Sequence, residues 1–180
     1  MLIEQSRCTN GIPVKYRWMG SNLEKSSEES EEHAMARQFA SNMANTQLHW
    51  GYLKFLNFNK YRIRTEIYLE KMFERMTSGG LRSGSEVVPI ESAREKGLPM
   101  FEFRWHHSQR LLEGVQKEQI RHYDLEPVDM ARVVFGVGMH LKDVREESEI
   151  AIRDRQNEEI QKAMEIAKRL DKSLKRDKTV

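Results

Sequence analysis

A chain of 180 residues, 38% hydrophobic and 32% charged, has apolar side chains for one core and a large charged surface, which fits a single domain with appended helices. It holds no run of about 18 apolar residues to span a membrane, residues 1–7 lack the apolar stretch of a signal peptide, and the lone Cys8 excludes a disulfide framework or a multi-cysteine zinc site, so a reducing cytoplasm is the expected setting. The formal charge of +2 is low for a nucleic-acid binder, but Glu24, Glu28, Glu29, Glu31 and Glu32 crowd one segment and leave the middle of the chain more basic than the whole.

Ile12, Val14, Tyr16 and Trp18 alternate with Pro13, Lys15 and Arg17, which predicts a strand whose Pro13 lies at a sheet edge or at the strand start. Residues 21–51 read as an acidic loop and an elongated first helix, with Ser26 and Glu29 at capping-box spacing. Apolar residues then recur every four positions from Met35 to Leu56, with a bend expected near Gly51. A second helix follows to about Thr77, placing Ile63, Ile67, Tyr68, Met72, Phe73 and Met76 on one side, and Ser78-Gly79-Gly80 stops it as a glycine C-cap. Residues 81–96 have no sustained period and read as a loop carrying Arg82, Arg94 and Lys96.

Three strands are predicted next, over residues 98–106, 119–125 and 132–140. The connection between the first two carries Arg110 and Gly114, and residues 126–129 form a turn. Gly136 and Gly138 stand two apart, on one face, and mark a bulge or a close backbone approach. A last helix, residues 148–175, carries Ile160, Ala163, Met164, Ala167, Leu170 and Leu174 at three-four spacing, with residues 170–180 tailing into a frayed end.

Strand parity sorts the polar residues of the three strands. Phe101, Phe103 and Trp105 face inward, so Glu102, Arg104 and His106 face out. Ile120 belongs inside, which brings Arg121 and Tyr123 to the outer face and makes His122 a half-buried histidine. His106 and His107 point to opposite sides and find no carboxylate-rich third ligand, so no metal is expected. One polar, solvated face is ordinary for an antiparallel sheet, and that reading carries equal weight with a working surface.

The order strand, two helices, three strands, helix resembles the RelE/ParE superfamily of bacterial toxin components, in its HigB-like, phage-related branch. The segments that carry the likeness are Leu69-Glu70-Lys71-Met72-Phe73-Glu74 before Gly79-Gly80, Gly97-Leu98-Pro99-Met100-Phe101-Glu102-Phe103-Arg104, Ile120-Arg121-His122-Tyr123, residues 133–142, and Asn157-Glu158-Glu159-Ile160-Gln161-Lys162-Ala163. The resemblance covers about residues 52–169 and implies an α+β fold in which a strand, two helices, a three-stranded antiparallel continuation of the sheet and a C-terminal helix follow one another. It implies an mRNA endoribonuclease, ribosome-dependent or free, that needs no cofactor or metal and attacks a phosphate with the neighbouring ribose 2′-hydroxyl. Arg104, His106, Arg121, Tyr123 and His140 are then the catalytic candidates, Arg82, Arg94, Arg110 and Lys142 the phosphate-binding ones. The implied partners are a cognate antitoxin, mRNA and the ribosome, with self-association open. Two alternatives stand beside it: a non-catalytic protein- or nucleic-acid-binding module, favoured by the modest charge, and a ParE-like gyrase inhibitor.

Overall fold

The computed structural model describes residues 4–111, 114–142 and 148–176, with the backbone alone at 109–111, 115 and 116. It is an α+β protein built in three layers. Strand β1 (Lys15–Trp18) leads into helices α1 (Glu31–His49) and α2 (Phe58–Thr77). A short strand β2 (Val87–Pro89) and a one-turn helix α3 (Glu91–Arg94) follow, then β3 (Met100–Leu111), β4 (Gly114–Leu125), β5 (Val133–Lys142) and α4 (Glu149–Arg176). The sheet order is β1-β5-β4-β3-β2, with β1 parallel to β5 and every other pair antiparallel.

Each face of the sheet buries its own core. Helices α1 and α2 cover one face over Tyr16, Phe101, Phe103, Trp105, Ile120 and Val134. Helix α4 covers part of the other through Ala163, Met164, Ala167 and Leu170, which meet Met100, Tyr123, Leu125, Phe135 and Val137. Leu170 and Leu174 still pack on this face, so the helix continues in register to Arg176 where fraying was expected.

Ser30, not Ser26, caps α1: its Oγ accepts from the His33 N–H at 3.1 Å, and Glu31 and Glu32 in the first turn suit the positive end of the helix dipole. Glu29 reaches back to the Ser26 N–H at 3.4 Å, as the capping-box spacing suggests, and also takes both the Nε and Nη2 of Arg37, at 3.0 and 3.1 Å. Helix α1 stops at His49, two residues before Gly51, whose φ of 79° no helix continues. On α2 the expected single apolar side splits. Tyr61, Leu69, Met72, Phe73 and Met76 are buried, whereas Ile63 and Ile67 lie nearly half exposed on the outer flank.

Gly79 ends α2 with a φ of 75°, the Gly80 N–H returning to the Arg75 carbonyl at 2.7 Å. The N-terminal segment crosses here, since the Gly11 N–H donates to the Gly79 carbonyl at 3.0 Å. A Cβ at Gly79 would meet the backbone nitrogens of Gly11 and Ile12. Gly79→Ala is therefore expected to destabilise by about 2 kcal/mol or more in denaturant unfolding, from left-handed strain plus a backbone clash.

Between β4 and β5 the register slips: Tyr123 pairs with Gly138, but Asp124 pairs with Gly136, leaving Val137 as an extra residue. The bulge overturns the parity that put the two glycines on one face. Gly136 lies under Tyr16 and Trp18 on the α1–α2 side, and Gly138 lies under Tyr123 and Ala163 on the α4 side.

The N-terminal segment is latched by a buried acid. Ser6 Oγ donates to Glu126 at 2.5 Å and the Arg7 N–H donates to it at 2.9 Å, while the Arg7 guanidinium reaches the carbonyls of Met130 and Pro127. Burial, with Asp124 adding to it, pushes the Glu126 carboxyl up to about 7. The native state then keeps a proton that the unfolded chain releases above the ordinary carboxylate range. Stability is expected to fall as pH rises from about 5 to 8, by on the order of 2–3 kcal/mol, with Glu126→Gln flattening the slope in pH-dependent melts.

Candidate functional site

The register of the three central strands sets a grid of polar side chains on the α4 side. Arg104, Arg121 and His140 stand directly across from one another on β3, β4 and β5. His106, Gln119 and Lys142 form the next row, and Glu102, Tyr123 and Gly138 the row before. Six of the nine sequence candidates thus fall on one contiguous patch: Arg104, His106, Arg121, Tyr123, His140 and Lys142.

Glu102 organises this patch. Its side chain is 5% exposed, accepts from Arg104 Nε at 3.0 Å and forms an ion pair with Arg121, whose Nε lies 2.9 Å away, while Gln156 of α4 donates to it at 3.2 Å. Lys142 Nζ donates to the other end of the Gln156 amide at 3.0 Å, and Arg121 Nη2 donates to Gln119 at 2.9 Å. The patch is therefore not uniformly wet, because the first turns of α4 lie across its middle. Arg121 is 6% and Tyr123 1% exposed, while Arg104 keeps 39% of its side chain in solvent and His106 is exposed.

Burial and charge set the protonation states. Desolvation, then Arg121, Lys117 and Arg104, lowers His106 below the usual histidine range, so it is neutral at neutral pH. Burial, then Arg121 and Lys142, brings His140 down to about 4. Burial and then Glu102 raise the Tyr123 hydroxyl well above its ordinary value, so it stays protonated at any working pH. Desolvation and Arg121 lower Lys142. Arg121 Nη1, Tyr123 Oη and His140 Nδ1 are buried and find no hydrogen-bond partner among the described residues.

The other candidates lie elsewhere. Arg82 sits at the outer edge of β3, where its Nε meets Glu86 at 3.2 Å. Arg94 is on α3, where it reaches the Glu4 carbonyl at 3.0 Å and Glu91 at 3.7 Å. Arg110 is in β3, and its side chain falls outside the described residues. His107 faces α2, its ring stacked on Tyr68 at 4.2 Å, and burial lowers it to about 4.

His122 is fully buried where half-burial was expected. Tyr16 Oη lies 2.9 Å from its Nε2, Asp124 lies 3.4 Å from its Nδ1, and the rings of Phe73, Phe103, Trp18 and Trp105 close around it. It belongs to the core between sheet and helices and not to the patch.

Glu102, Gln119 and Gln156 escaped the sequence reading as site residues. Glu102 alternates in phase with Arg104 and His106, a signal that was present. Gln156 lies in a polar run of α4 with nothing to mark it.

The class that fold and patch define is an α+β protein carrying a cationic, histidine-bearing sheet face partly roofed by its last helix. No family model, curated protein or solved structure matches the chain. Among the described residues no helix is long and apolar enough to cross a membrane.

Proposed function

We propose that the β3–β4–β5 face binds single-stranded RNA and cleaves it by attack of a ribose 2′-hydroxyl on the adjacent phosphate, in the manner of a toxin-like endoribonuclease. The observation that carries this reading is the double row Arg104–Arg121–His140 and His106–Gln119–Lys142, in register on three strands. Two strand spacings separate His106 from Lys142, about 10 Å, enough for a phosphodiester to lie between a base and an acid over Gln119.

In this arrangement Arg104 takes the phosphate oxygens, since its guanidinium is fixed by Glu102 through Nε and presents its outer nitrogens to solvent. Neutral His106 accepts the 2′ proton as the new P–O bond forms. The bond to the 5′-oxygen breaks and that oxygen takes a proton from the Lys142 ammonium, leaving a 2′,3′-cyclic phosphate and a 5′-hydroxyl. Arg121, held between Glu102 and Gln119, positions the patch and adds charge from below. Tyr123, protonated and buried, contributes a hydrogen bond and no proton transfer. Cleavage is expected to fall on acidification through the lowered His106 value, with the midpoint below the 6.5 of an ordinary histidine and absent from His106→Gln.

A second reading, a nucleic-acid-binding module without chemistry, is favoured by one feature: Glu102 already neutralises part of the charge of Arg104 and Arg121. A nuclease of this kind must be held inactive by a protein that covers the face, the role of an antitoxin. The test incubates the purified protein with free single-stranded RNA, with RNA on translating ribosomes and with the matching DNA. Cutting of RNA in either form with intact DNA supports the nuclease. Binding without cutting supports the module, and neither binding nor cutting overturns both.

A further inference from the structure

Beside the patch, at the outer edge of β3, lies a cleft of about 400 Å³ walled by Tyr68, Arg75, Arg82, Glu86, Arg104 and His106. It exists because β2 is short. The Arg104 N–H still donates to the Glu86 carbonyl at 2.7 Å, but the chain before it has turned away at Gly84, where φ is 79°, and among the described residues no outer strand flanks β3 beyond that point. The space is within the range of small-ligand sites and opens onto the two exposed members of the patch, Arg104 and His106.

Arginine donors dominate the hydrogen-bonding inventory of the cleft. Both Glu86 oxygens are engaged, Oε1 by Arg75 Nη1 at 2.8 Å and Oε2 by Arg75 Nη2 at 2.8 Å and by the Arg82 N–H at 2.9 Å. Burial raises this carboxyl, but the hydrogen bonds from Arg75 and Arg82 outweigh it and bring it to about 2, so it is an anion already held by two arginines. Arg75 Nη2 also reaches the Gly80 carbonyl at 3.2 Å, and Tyr68 Oη donates to the His106 carbonyl at 2.8 Å. What remains is the exposed Ser85 hydroxyl and the Nη side of Arg82, whose side chain is 76% exposed and fixed through Nε by Glu86. The cleft thus offers a planar fork of donors beside a carboxylate already paired with two arginines.

We propose that this cleft receives the guanine base of the nucleotide whose phosphate lies on Arg104, an inference that rests on the reading of the face as an RNA surface. A guanidinium fork needs two acceptors side by side, and guanine presents O6 and N7 in that way. Adenine puts its N6 amino group beside N7 and sets donor against donor. Cytosine has O2 and N3 together, but O2 flanks the glycosidic bond, where the ribose crowds the fork. Uracil interposes its N3–H between O2 and O4.

The test is isothermal titration of the full chain with the four 3′-mononucleotides, for wild type, Arg82→Ala and Arg104→Ala. The guanine nucleotide should bind about tenfold tighter than the other three, Arg82→Ala should reduce it to their level with an unchanged melting temperature, and Arg104→Ala should weaken all four alike. Equal affinities, preference for another base, no binding of any of the four, or a guanine preference that survives Arg82→Ala would overturn it. Failure of the cleavage reading shows differently, as intact RNA alongside a preserved guanine preference, whereas RNA cut without base preference removes the cleft and spares the nuclease.

Discussion

Arg104→Ala is expected to lower the rate of RNA cleavage by about 10²- to 10³-fold, the cost of removing one preorganised donor from a developing phosphate charge. The size follows from position. Arg104 is the most exposed of the two arginines tied to Glu102, and it stands on β3 between the row that supplies His106 and the row that supplies Glu102 itself. Its loss should leave folding nearly intact, because the side chain is only part-buried and Glu102 keeps Arg121 at 2.9 Å and Gln156 at 3.2 Å. Arg104→Lys should recover only part of the rate, since a point charge cannot replace a fork that one nitrogen anchors while the others bind. Single-turnover cleavage with melting curves on the same samples separates the chemical from the structural effect.

Phe73→Ala should have the largest effect on stability, about 3–5 kcal/mol in denaturant unfolding. Phe73 is 1% exposed on α2, and its ring meets Tyr16 at 5.2 Å, Trp105 at 5.3 Å and His122 at 5.6 Å. It joins β1, β3 and β4 to the helical hairpin, so the cavity left behind would open the aromatic wall that lets His122 and Asp124 stay buried. Ile63→Ala or Ile67→Ala on the same helix, both on the exposed flank, should cost well under 1 kcal/mol. A loss at Phe73 no greater than that at Ile63 would mean that the aromatic cluster is not what holds the hairpin to the sheet.

The long elements were legible in the sequence because their periodicity is set by burial on one side. The four-residue recurrence through Phe39 and Met43 gives α1, and the alternation of Phe101, Phe103 and Trp105 with Glu102, Arg104 and His106 gives β3 and its two faces. Short elements left no such trace. Strand β2 has three residues and α3 four, too few for a period, so residues 81–96 read as a loop. β3 and β4 also run on to Leu111 and Gly114, through residues taken from sequence as their connection. Past Trp105 the inward side chains are no longer apolar: His107 stacks on Tyr68, and buried Glu118 accepts from Gln47 and Tyr61, contacts that no alternation of hydrophobic residues announces.

The candidate patch was legible as far as strand parity reaches. Parity puts Arg121 and Tyr123 beside Arg104, and the ladder places them there. It cannot show what roofs a face. Gln156 lies far along the chain from Glu102, so the burial of Arg121 and Tyr123 under α4 has no local signature. Nor can alternation foresee an inserted residue, which is why Val137 misled the placement of Gly138 while His140 and Lys142 kept their faces relative to each other.

The most direct measurement is the chemistry of the ends. RNA incubated with the purified protein, free or on translating ribosomes and with a metal chelator present, should yield fragments carrying a 2′,3′-cyclic phosphate and a 5′-hydroxyl, and Arg104→Ala and His106→Gln should yield few or none. Fragments with 3′-hydroxyl and 5′-phosphate ends, or RNA left whole in both settings, would contradict the account.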